Sequence, residues 1–151
     1  MGAVQFDVTL HSKQLEKDIE NIIEKFKTTS QVSKMMNPSF LGCDINQQEI
    51  TIEFPVQDNQ LNEHDTMHAG FIAAAFDEAF GIMAAYLGQE KDNVSINISL
   101  NCIKPIPMGD LIQITVKATS LGRRILTLTG ECHLASNNLL TNTGLATFAL
   151  V

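Results

Sequence analysis

The chain has 151 residues, of which 44% are hydrophobic and 18% charged, so it can bury the core of one globular domain and is not intrinsically disordered. Its formal net charge of -7 argues against a nucleic-acid-binding protein, which needs a basic face. The charge is uneven, since residues 1–90 hold five Lys and fourteen Asp or Glu, whereas residues 91–151 hold five Lys or Arg and three Asp or Glu. An anionic ligand is therefore expected against the second part of the chain.

The three cysteines, Cys43, Cys102 and Cys132, are an odd number without CxxC spacing, so we predict neither a disulfide framework nor a structural zinc site. Residues 1–12 lack the apolar stretch of a secretory signal. These features predict a soluble protein of the cytoplasm that binds neither nucleic acid nor a membrane.

The chain opens with a predicted amphipathic helix over residues 12–27, because apolar residues recur there at helical spacing. Asn37-Pro38 is expected to end whatever structure precedes it. The segments "FLGCDI" and "EITIEFPV" flank "NQQ" and predict a β-hairpin.

The segment "HAGFIAAAFDEAFGIMAAYLG", residues 68–88, predicts a long helix that is apolar on nearly every side. Such a helix has to be enclosed, so we expect a sheet to curl around it. Asp77 and Glu78 stand side by side in its middle, and a buried carboxylate is costly unless it is paired or functional. Glu78 points about 100° away from Asp77 and is expected at an edge, facing polar groups or solvent.

After Gly88 the pattern changes to alternation, and "NVSINISLNC" predicts a half-buried strand with Val94, Ile96, Ile98 and Leu100 on its inner face. Three more strands are predicted in "LIQITVKATS", "RILTLTGECHLAS" and "LLTNTGLATFALV". The short connections favour an antiparallel sheet, so the predicted fold class is α+β.

The start of the long helix is a candidate site. The first amides of a helix have no partner within it and can stabilise a developing oxyanion. Ala69 and Gly70, which follow His68, would let a carbonyl group approach closely. The alternative is that these small residues serve tight packing of the helix on the sheet.

Asp77 follows His68 by nine residues, which is half a turn out of phase and about 13 Å along the helix axis. It therefore cannot serve the N-terminus of its own helix, but it could serve that of an antiparallel helix in another subunit. The alternative is that it bonds to Ser or Thr hydroxyls and fixes the register of a dimer.

Asn62, the run His68-Ala69-Gly70, Asp77 and a polar-faced strand with Ser95 stand in an order and spacing that resemble the hotdog-fold acyl-CoA thioesterases. The resemblance is to the branch that contains the phenylacetate-degradation thioesterase. It covers roughly residues 40–151 and includes the downstream segments "KPIPMGD" and "GRR". One departure is that the family usually has His-Gly-Gly, where this chain has His-Ala-Gly.

The resemblance implies a hotdog fold, in which a long central helix is wrapped by a curved antiparallel sheet. Residues 39–151 would form this domain, and residues 1–38 an N-terminal helical extension. It also implies hydrolysis of an aryl- or medium/long-chain acyl-CoA without a cofactor, in a homodimer or a dimer of dimers.

Site residues follow from the same resemblance. The Ala69 amide would polarise the thioester carbonyl, with Gly70 beside it, and Asn62 would position the substrate or the attacking water. His68 would orient the turn. Asp77 of the partner chain would act as general base or nucleophile, and Ser95 would hold its water. The phosphates of coenzyme A would bind Lys104, Arg123 and Arg124, although such charges at a strand end are often only solvated.

Two other readings remain open. The spacing of His64, Asp65 and His68 resembles the HExxH zinc motif, but that motif must lie within a helix and needs a further ligand, so we expect no metal site. A non-catalytic acyl-CoA-binding or sensing module on the same fold is the alternative to an enzyme. Asp77 speaks against it, because a binding module has little use for an acid at that position.

The acyl group itself is not encoded in a motif. Four apolar residues of the long helix are candidates for lining its pocket, and they are equally good core residues: Phe71, Phe76, Phe80 and Met83. Cys102 and Cys132 lie within predicted strands without a nearby sequence partner, so we expect no cysteine nucleophile.

Overall fold

The computed structural model describes residues 11–89 and 91–151. The elements in chain order are α1 (His11–Thr29), α2 (Gln31–Met36), β1 (Ser39–Asp44), β2 (Glu49–Pro55), α3 (Ala69–Gly88), β3 (Asn93–Cys102), β4 (Leu111–Leu121), β5 (Ile125–Leu134) and β6 (Leu140–Leu150). The predicted amphipathic helix, hairpin, long helix and four-strand run are confirmed. The first ten residues, where we expect no signal sequence, lie outside the described residues.

The six strands form one sheet in the order β1-β2-β4-β5-β6-β3, and every neighbouring pair is antiparallel. Apolar residues alternate along the strands and place one face of the sheet in the core, as Ile50, Ile52 and Phe54 of β2 illustrate. Helix α3 packs on this face. The predicted α+β hotdog fold is confirmed.

Two glycines on β5 and β6 face the aromatic residues of α3. Gly130 and Gly144 are paired across these strands. A Cβ atom at residue 130 would lie 3.1 Å from the Phe80 ring, and one at residue 144 would lie 2.9 Å from the Phe76 ring. The absence of both side chains therefore makes room for the two rings, which are fully buried.

Helices α1 and α2 share this core. Leu15, Ile19 and Ile23 of α1 are buried in the same apolar cluster as α3. Ser30 caps α2 by accepting a hydrogen bond from the Ser33 N–H, and Asn37 ends the helix in the left-handed conformation at φ 53°. The described part of the N-terminal extension thus packs as part of one hydrophobic core.

Helix α3 is less enclosed than its composition suggests. By length and composition it could cross a membrane, yet 56% of its most apolar window is buried inside this fold. Along one stripe Ala69, Gly70 and Asp77 are exposed in the single chain. The expectation of a helix enclosed on all sides is therefore wrong for one chain, because the sheet leaves this stripe uncovered.

Strand β3, at the edge of the sheet next to this stripe, also departs from its predicted pattern. Val94 and Ile96, expected on the inner face, are 51% and 57% exposed. The register with β6 shifts between Ser95 and Asn97, which is a β-bulge at Ile96. Because cross-strand partners point to the same face, Ser95, the partner of the buried Phe148, faces the core side.

The glycine contact yields a stability prediction. Gly144→Ala should lower the free energy of unfolding by about 1–3 kcal/mol, because its Cβ would force the Phe76 ring or the helix to move. Urea denaturation at fixed protein concentration measures this. Gly42→Ala on β1 is the matched control, since a Cβ there meets nothing within 4 Å. Equal midpoints for the two variants would mean that helix and sheet are not in tight contact.

Candidate active site

The N-terminus of α3 offers one free backbone donor. His68 is the N-cap residue, with φ -63° and ψ 138°, and its Nδ1 accepts a hydrogen bond from the Gly70 N–H at 2.9 Å. The amides of Phe71 and Ile72 both donate to the His68 carbonyl oxygen. In the described part of the chain the Ala69 N–H has no acceptor, so it is the donor of this turn left for a ligand.

A network of hydrogen bonds fixes the direction of this helix end. The His68 N–H donates to the Gln60 carbonyl oxygen at 2.8 Å, and the Met67 N–H donates to the Ile106 carbonyl oxygen at 2.9 Å. The segment before α3 is thereby held on both sides. A neutral His68 that accepts this hydrogen bond at Nδ1 would carry its proton on Nε2.

Asn62 holds the loop that precedes this segment. Its Oδ1 accepts hydrogen bonds from the His64 N–H, the Thr66 N–H and the Thr66 hydroxyl at 2.9, 3.2 and 3.1 Å. Within the described residues its Nδ2 group has no acceptor, so it stays free to donate. Asn62 therefore has a structural role in addition to any contact with a ligand, which the sequence did not predict.

Asp77 lies on the same side of α3 as Gly70, because seven residues complete two turns. Both line a groove of about 490 Å³. The half-turn between His68 and Asp77 therefore concerns the cap residue alone. Gly70, in the first turn of α3, lies on the same side as Asp77. The distance along the axis remains, and Ala69 and Asp77 are eight residues, or about 12 Å, apart.

The sequence suggests a buried Asp77, but this residue is exposed in the single chain. The protein around it nevertheless displaces enough water to raise the pKa of its carboxyl group. A base whose pKa is raised accepts a proton more readily than an ordinary aspartate.

Ser95 and Asp77 line the same groove. The bulge at Ile96 is responsible, because without it Ser95 would point to the opposite face of β3. The structure thus brings together Gly70, Asp77 and Ser95 within one chain. The free Ala69 amide lies too far from Asp77 for both to act on a single carbonyl group.

Glu78 differs from its neighbour Asp77. It is half-buried, and its Oε2 accepts a hydrogen bond of 2.6 Å from the hydroxyl of Ser33 on α2. Burial and the charge of Asp77 raise the pKa of Glu78, and the hydrogen bond from Ser33 opposes them. Glu78 faces a polar partner, as predicted, and it connects α2 to α3.

The three predicted phosphate-binding cations lie at opposite ends of the sheet. The Arg124 carbonyl oxygen accepts a hydrogen bond from the Leu150 N–H, close to the start of β3. Lys104 follows the other end of that strand. The ten residues of β3 make this separation about 30 Å. Arg123 and Lys104 of one chain therefore cannot bind the same phosphate group.

Three of the four candidate pocket residues lie in the hydrophobic core. Phe76, Phe80 and Met83 are fully buried in the single chain, which fits the alternative that they are core residues. Phe71 is half-buried, and its ring meets that of His68 edge-on at 6.4 Å between centroids.

The structure separates the candidate zinc residues and buries one of the two strand cysteines. His64 lies in a turn before α3 and pairs with Glu63, so it does not share a helix face with His68. Among the described residues no group of three or more His, Cys, Asp or Glu is close enough to hold a metal ion. Burial raises the pKa of the Cys132 thiol to about 11, which disfavours the thiolate that a nucleophile requires.

Comparison with known proteins places this geometry in a family. The family model described as the thioesterase superfamily matches residues 64–141. The Caenorhabditis elegans protein named "Putative esterase F42H10.6" is 20% identical over 112 residues, which are 74% of this chain and 66% of that protein.

Two solved structures share the fold. The Escherichia coli PaaI protein from the phenylacetic acid degradation operon superposes with a TM-score of 0.78 at 14% identity. The superposition covers 91% of this chain and 96% of the PaaI chain, so the likeness extends into the first 38 residues. A hypothetical thioesterase from Streptococcus pneumoniae with coenzyme A has a TM-score of 0.67 at 17% identity, over 76% of this chain and 89% of its own.

The loop before α3 yields a prediction that separates structure from chemistry. Asn62→Ala leaves the His64 and Thr66 amides without an acceptor and should lower the free energy of unfolding by about 1–2 kcal/mol. Asn62→Asp keeps an oxygen acceptor in place and should lose much less. Urea denaturation of both variants tests this, and equal losses would show that Oδ1 does not hold the loop.

Proposed function

The chain belongs to the thioesterase superfamily, and on this basis we propose that it is an acyl-CoA thioesterase, which hydrolyses the thioester of a coenzyme A ester to a carboxylic acid and the free thiol. The free N–H of Ala69 at the N-terminus of α3 is the observation that carries this proposal. A donor aimed out of a helix end stabilises the negative charge that forms on a thioester oxygen during attack.

Alanine in place of the family's usual glycine is compatible with this role. Ala69 keeps its N–H and has the ordinary helical conformation of a first-turn residue. Its methyl group and the neighbouring Gly70 are exposed, so a ligand carbonyl can reach the amide. The amide donor of Asn62, unpaired within the described residues, would contact the substrate or the attacking water from the adjacent loop.

Asp77 supplies the second half of the reaction. Its carboxylate either removes a proton from the attacking water or attacks the thioester carbon itself, and Ser95 beside it holds the water. In both routes the thiolate of coenzyme A leaves and a water molecule provides the hydroxyl of the acid product. The raised pKa of Asp77 suits a group that takes up a proton.

The two halves are joined in a homodimer, in which each site uses α3 of one chain and Asp77 of the other. The exposed stripe of α3 and the edge strand β3, with exposed Val94 and Ile96, provide the surface for such an isologous contact. The dimer covers the stripe, and two dimers can associate further into a tetramer.

In the same dimer, the cations proposed to bind coenzyme A would lie close together, although they are far apart within one chain. Side by side, two antiparallel β3 strands bring the start of one next to the end of the other. Arg123 and Arg124 of one subunit then approach the α3 N-terminus and Lys104 of its partner, where the phosphates of coenzyme A bind. The three cysteines are free thiols, which suits the reducing cytoplasm where we propose that the enzyme acts.

A proline substitution tests the oxyanion donor. Ala69→Pro removes the N–H, while the first helical position tolerates proline and the extended His68 suits a residue that precedes it. We expect turnover to fall by about 10²–10³-fold with the fold intact. Thiol release from a panel of aryl- and fatty-acyl-CoA esters measures turnover, and circular dichroism checks the fold.

Ala69→Gly is the matched control, because it keeps the N–H and should remain active. If Ala69→Pro turned over substrates as fast as Ala69→Gly, the amide would not be the oxyanion donor. If the wild-type protein released no thiol from any ester but still bound one, it would be an acyl-CoA-binding module instead.

Mixed dimers test the shared site. Ala69→Pro and Asp77→Asn should each be nearly inactive, the second by about 10²-fold or more. When equal amounts are unfolded and refolded together, half of the dimers are mixed and each has one intact site, so about a quarter of wild-type activity should return. Persistent inactivity, with mixed dimers demonstrated by mass spectrometry of differently tagged chains, would show that each site lies within one chain.

A further inference from the structure

A second groove begins at the catalytic residues and runs away from the helix N-terminus. This second groove has a volume of about 320 Å³. Asp77 and Ser95 line it and also line the first groove, which contains Gly70. A thioester carbon placed at Asp77 therefore has the second groove directly beside it.

The lining of the second groove comes from four elements. Its apolar part is Phe26, Gly81, Val94 and Phe148, beside the polar residues Asp77, Glu78, Asn93 and Ser95. Phe26 of α1 lies on one side and Phe148 of β6 on the other, and Gly81 of α3 forms part of the lining between them. Phe148 is a core residue, whereas Phe26 is only half-buried. The groove thus has one fixed wall and one wall contributed by the N-terminal helix.

Gly81 has no steric reason to be glycine. A Cβ atom there would lie 3.8 Å from the Phe26 ring, an ordinary contact, whereas one at Gly88 would lie 2.9 Å from Leu150 and one at Gly70 3.1 Å from His68. Glycine in the middle of a helix costs stability relative to alanine. What the missing side chain provides at residue 81 is open space between α3 and Phe26.

Phe26 also separates this groove from a larger one. The larger groove, of about 790 Å³, shares Phe26 and Asn93 with it and continues between α1 and the end of α3. Its lining combines charged residues such as Lys25 and Asp92 with the apolar Ile22 and Ala85, along which a longer chain could run if Phe26 were absent. With Phe26 in place, the space next to Asp77 ends at its ring.

We propose, building on the thioesterase activity above, that this second groove receives the acyl group and that Phe26 and Gly81 set its size. The substrate class is a coenzyme A ester of a compact apolar acid, one ring or a short chain, and long-chain acyl groups are excluded by the Phe26 ring. The N-terminal helix, which supplies Phe26, is then a determinant of specificity as well as part of the core.

Three esters of increasing length test this gate: acetyl-, hexanoyl- and palmitoyl-CoA. The wild-type protein should show a higher kcat/KM for hexanoyl- than for palmitoyl-CoA. Phe26→Ala joins the two grooves and should shift the ratio of kcat/KM towards palmitoyl-CoA by at least about 10-fold. Phe26→Leu keeps more of the packing on the core and should shift the ratio in the same direction by less. Phe40→Ala is the matched control, since Phe40 is also half-buried against the core but lies on β1.

Gly81→Ala provides the opposite change. It should raise the unfolding temperature, because alanine favours the helix, and should lower kcat/KM for hexanoyl-CoA more than for acetyl-CoA. Gly81→Val should do so more strongly. A stabilised variant with a narrower range of substrates would distinguish a filled groove from a damaged fold.

The outcomes separate this proposal from the activity on which it rests. Turnover of the esters with equal effects of Phe26→Ala and Phe40→Ala on all of them would overturn the gate and leave the thioesterase standing. The same holds if the wild-type protein prefers palmitoyl-CoA. A folded protein that hydrolyses none of these esters, nor an aryl-CoA, would overturn both.

Discussion

The packing of Phe76 and Phe80 on the glycine pair of β5 and β6 determines where the central helix lies. Gly130 and Gly144 lack side chains next to these rings, so the rings pack against the backbone of the sheet and position α3 on it. Asp77 directly follows Phe76, and its direction is the consequence of burying that ring. The exposed stripe of α3 and the groove beside β3 follow from the same rotation, because Asp77 lies about 100° around the helix from Phe76, on a side that the sheet leaves uncovered.

The candidate site depends on which hydrogen-bonding groups the fold leaves unpaired. His68 satisfies the Gly70 amide through its side chain and two further amides through its carbonyl group, and this leaves the Ala69 N–H. Asn62 uses its oxygen to hold the preceding loop and keeps its amide group free within the described residues. Both unpaired donors lie at the end of α3, whereas the acid lies about 12 Å along the same helix. In the proposed thioesterase, a complete site would take its acid from a second chain, which the uncovered stripe and the exposed edge strand can accommodate.

Asp77 illustrates a conflict between stability and function. Its pKa is raised in the folded chain, so the native state favours the protonated carboxyl, and stability falls as the pH rises from the ordinary value of an aspartate through the raised one. Glu78 has the same tendency but gains a hydrogen bond from the buried Ser33, which binds α2 to α3. The two adjacent carboxylates therefore have different roles. Glu78 connects α2 to α3 through Ser33, whereas Asp77 stays accessible in the groove. Covering the stripe in a dimer would remove more water from Asp77 and strengthen this conflict.

The sequence alone determined the elements and the family. Hydrophobic spacing, turn residues and the run from Asn62 to Asp77 predicted two helices, a hairpin, a run of four strands, the antiparallel sheet and the thioesterase superfamily, because these signals are local. The face of the sheet or helix on which a side chain lies was not determined by such local signals. Ser95 turns towards Asp77 only because a bulge at Ile96 shifts the register of an alternation that looked regular in the sequence. Likewise, Phe80 and Met83 lie in the core, while Phe26, far away in the chain, lines the groove beside Asp77. Which apolar side chain fills the interior and which borders an opening is decided by how the helices and the sheet pack together, and only the tertiary structure contains that information.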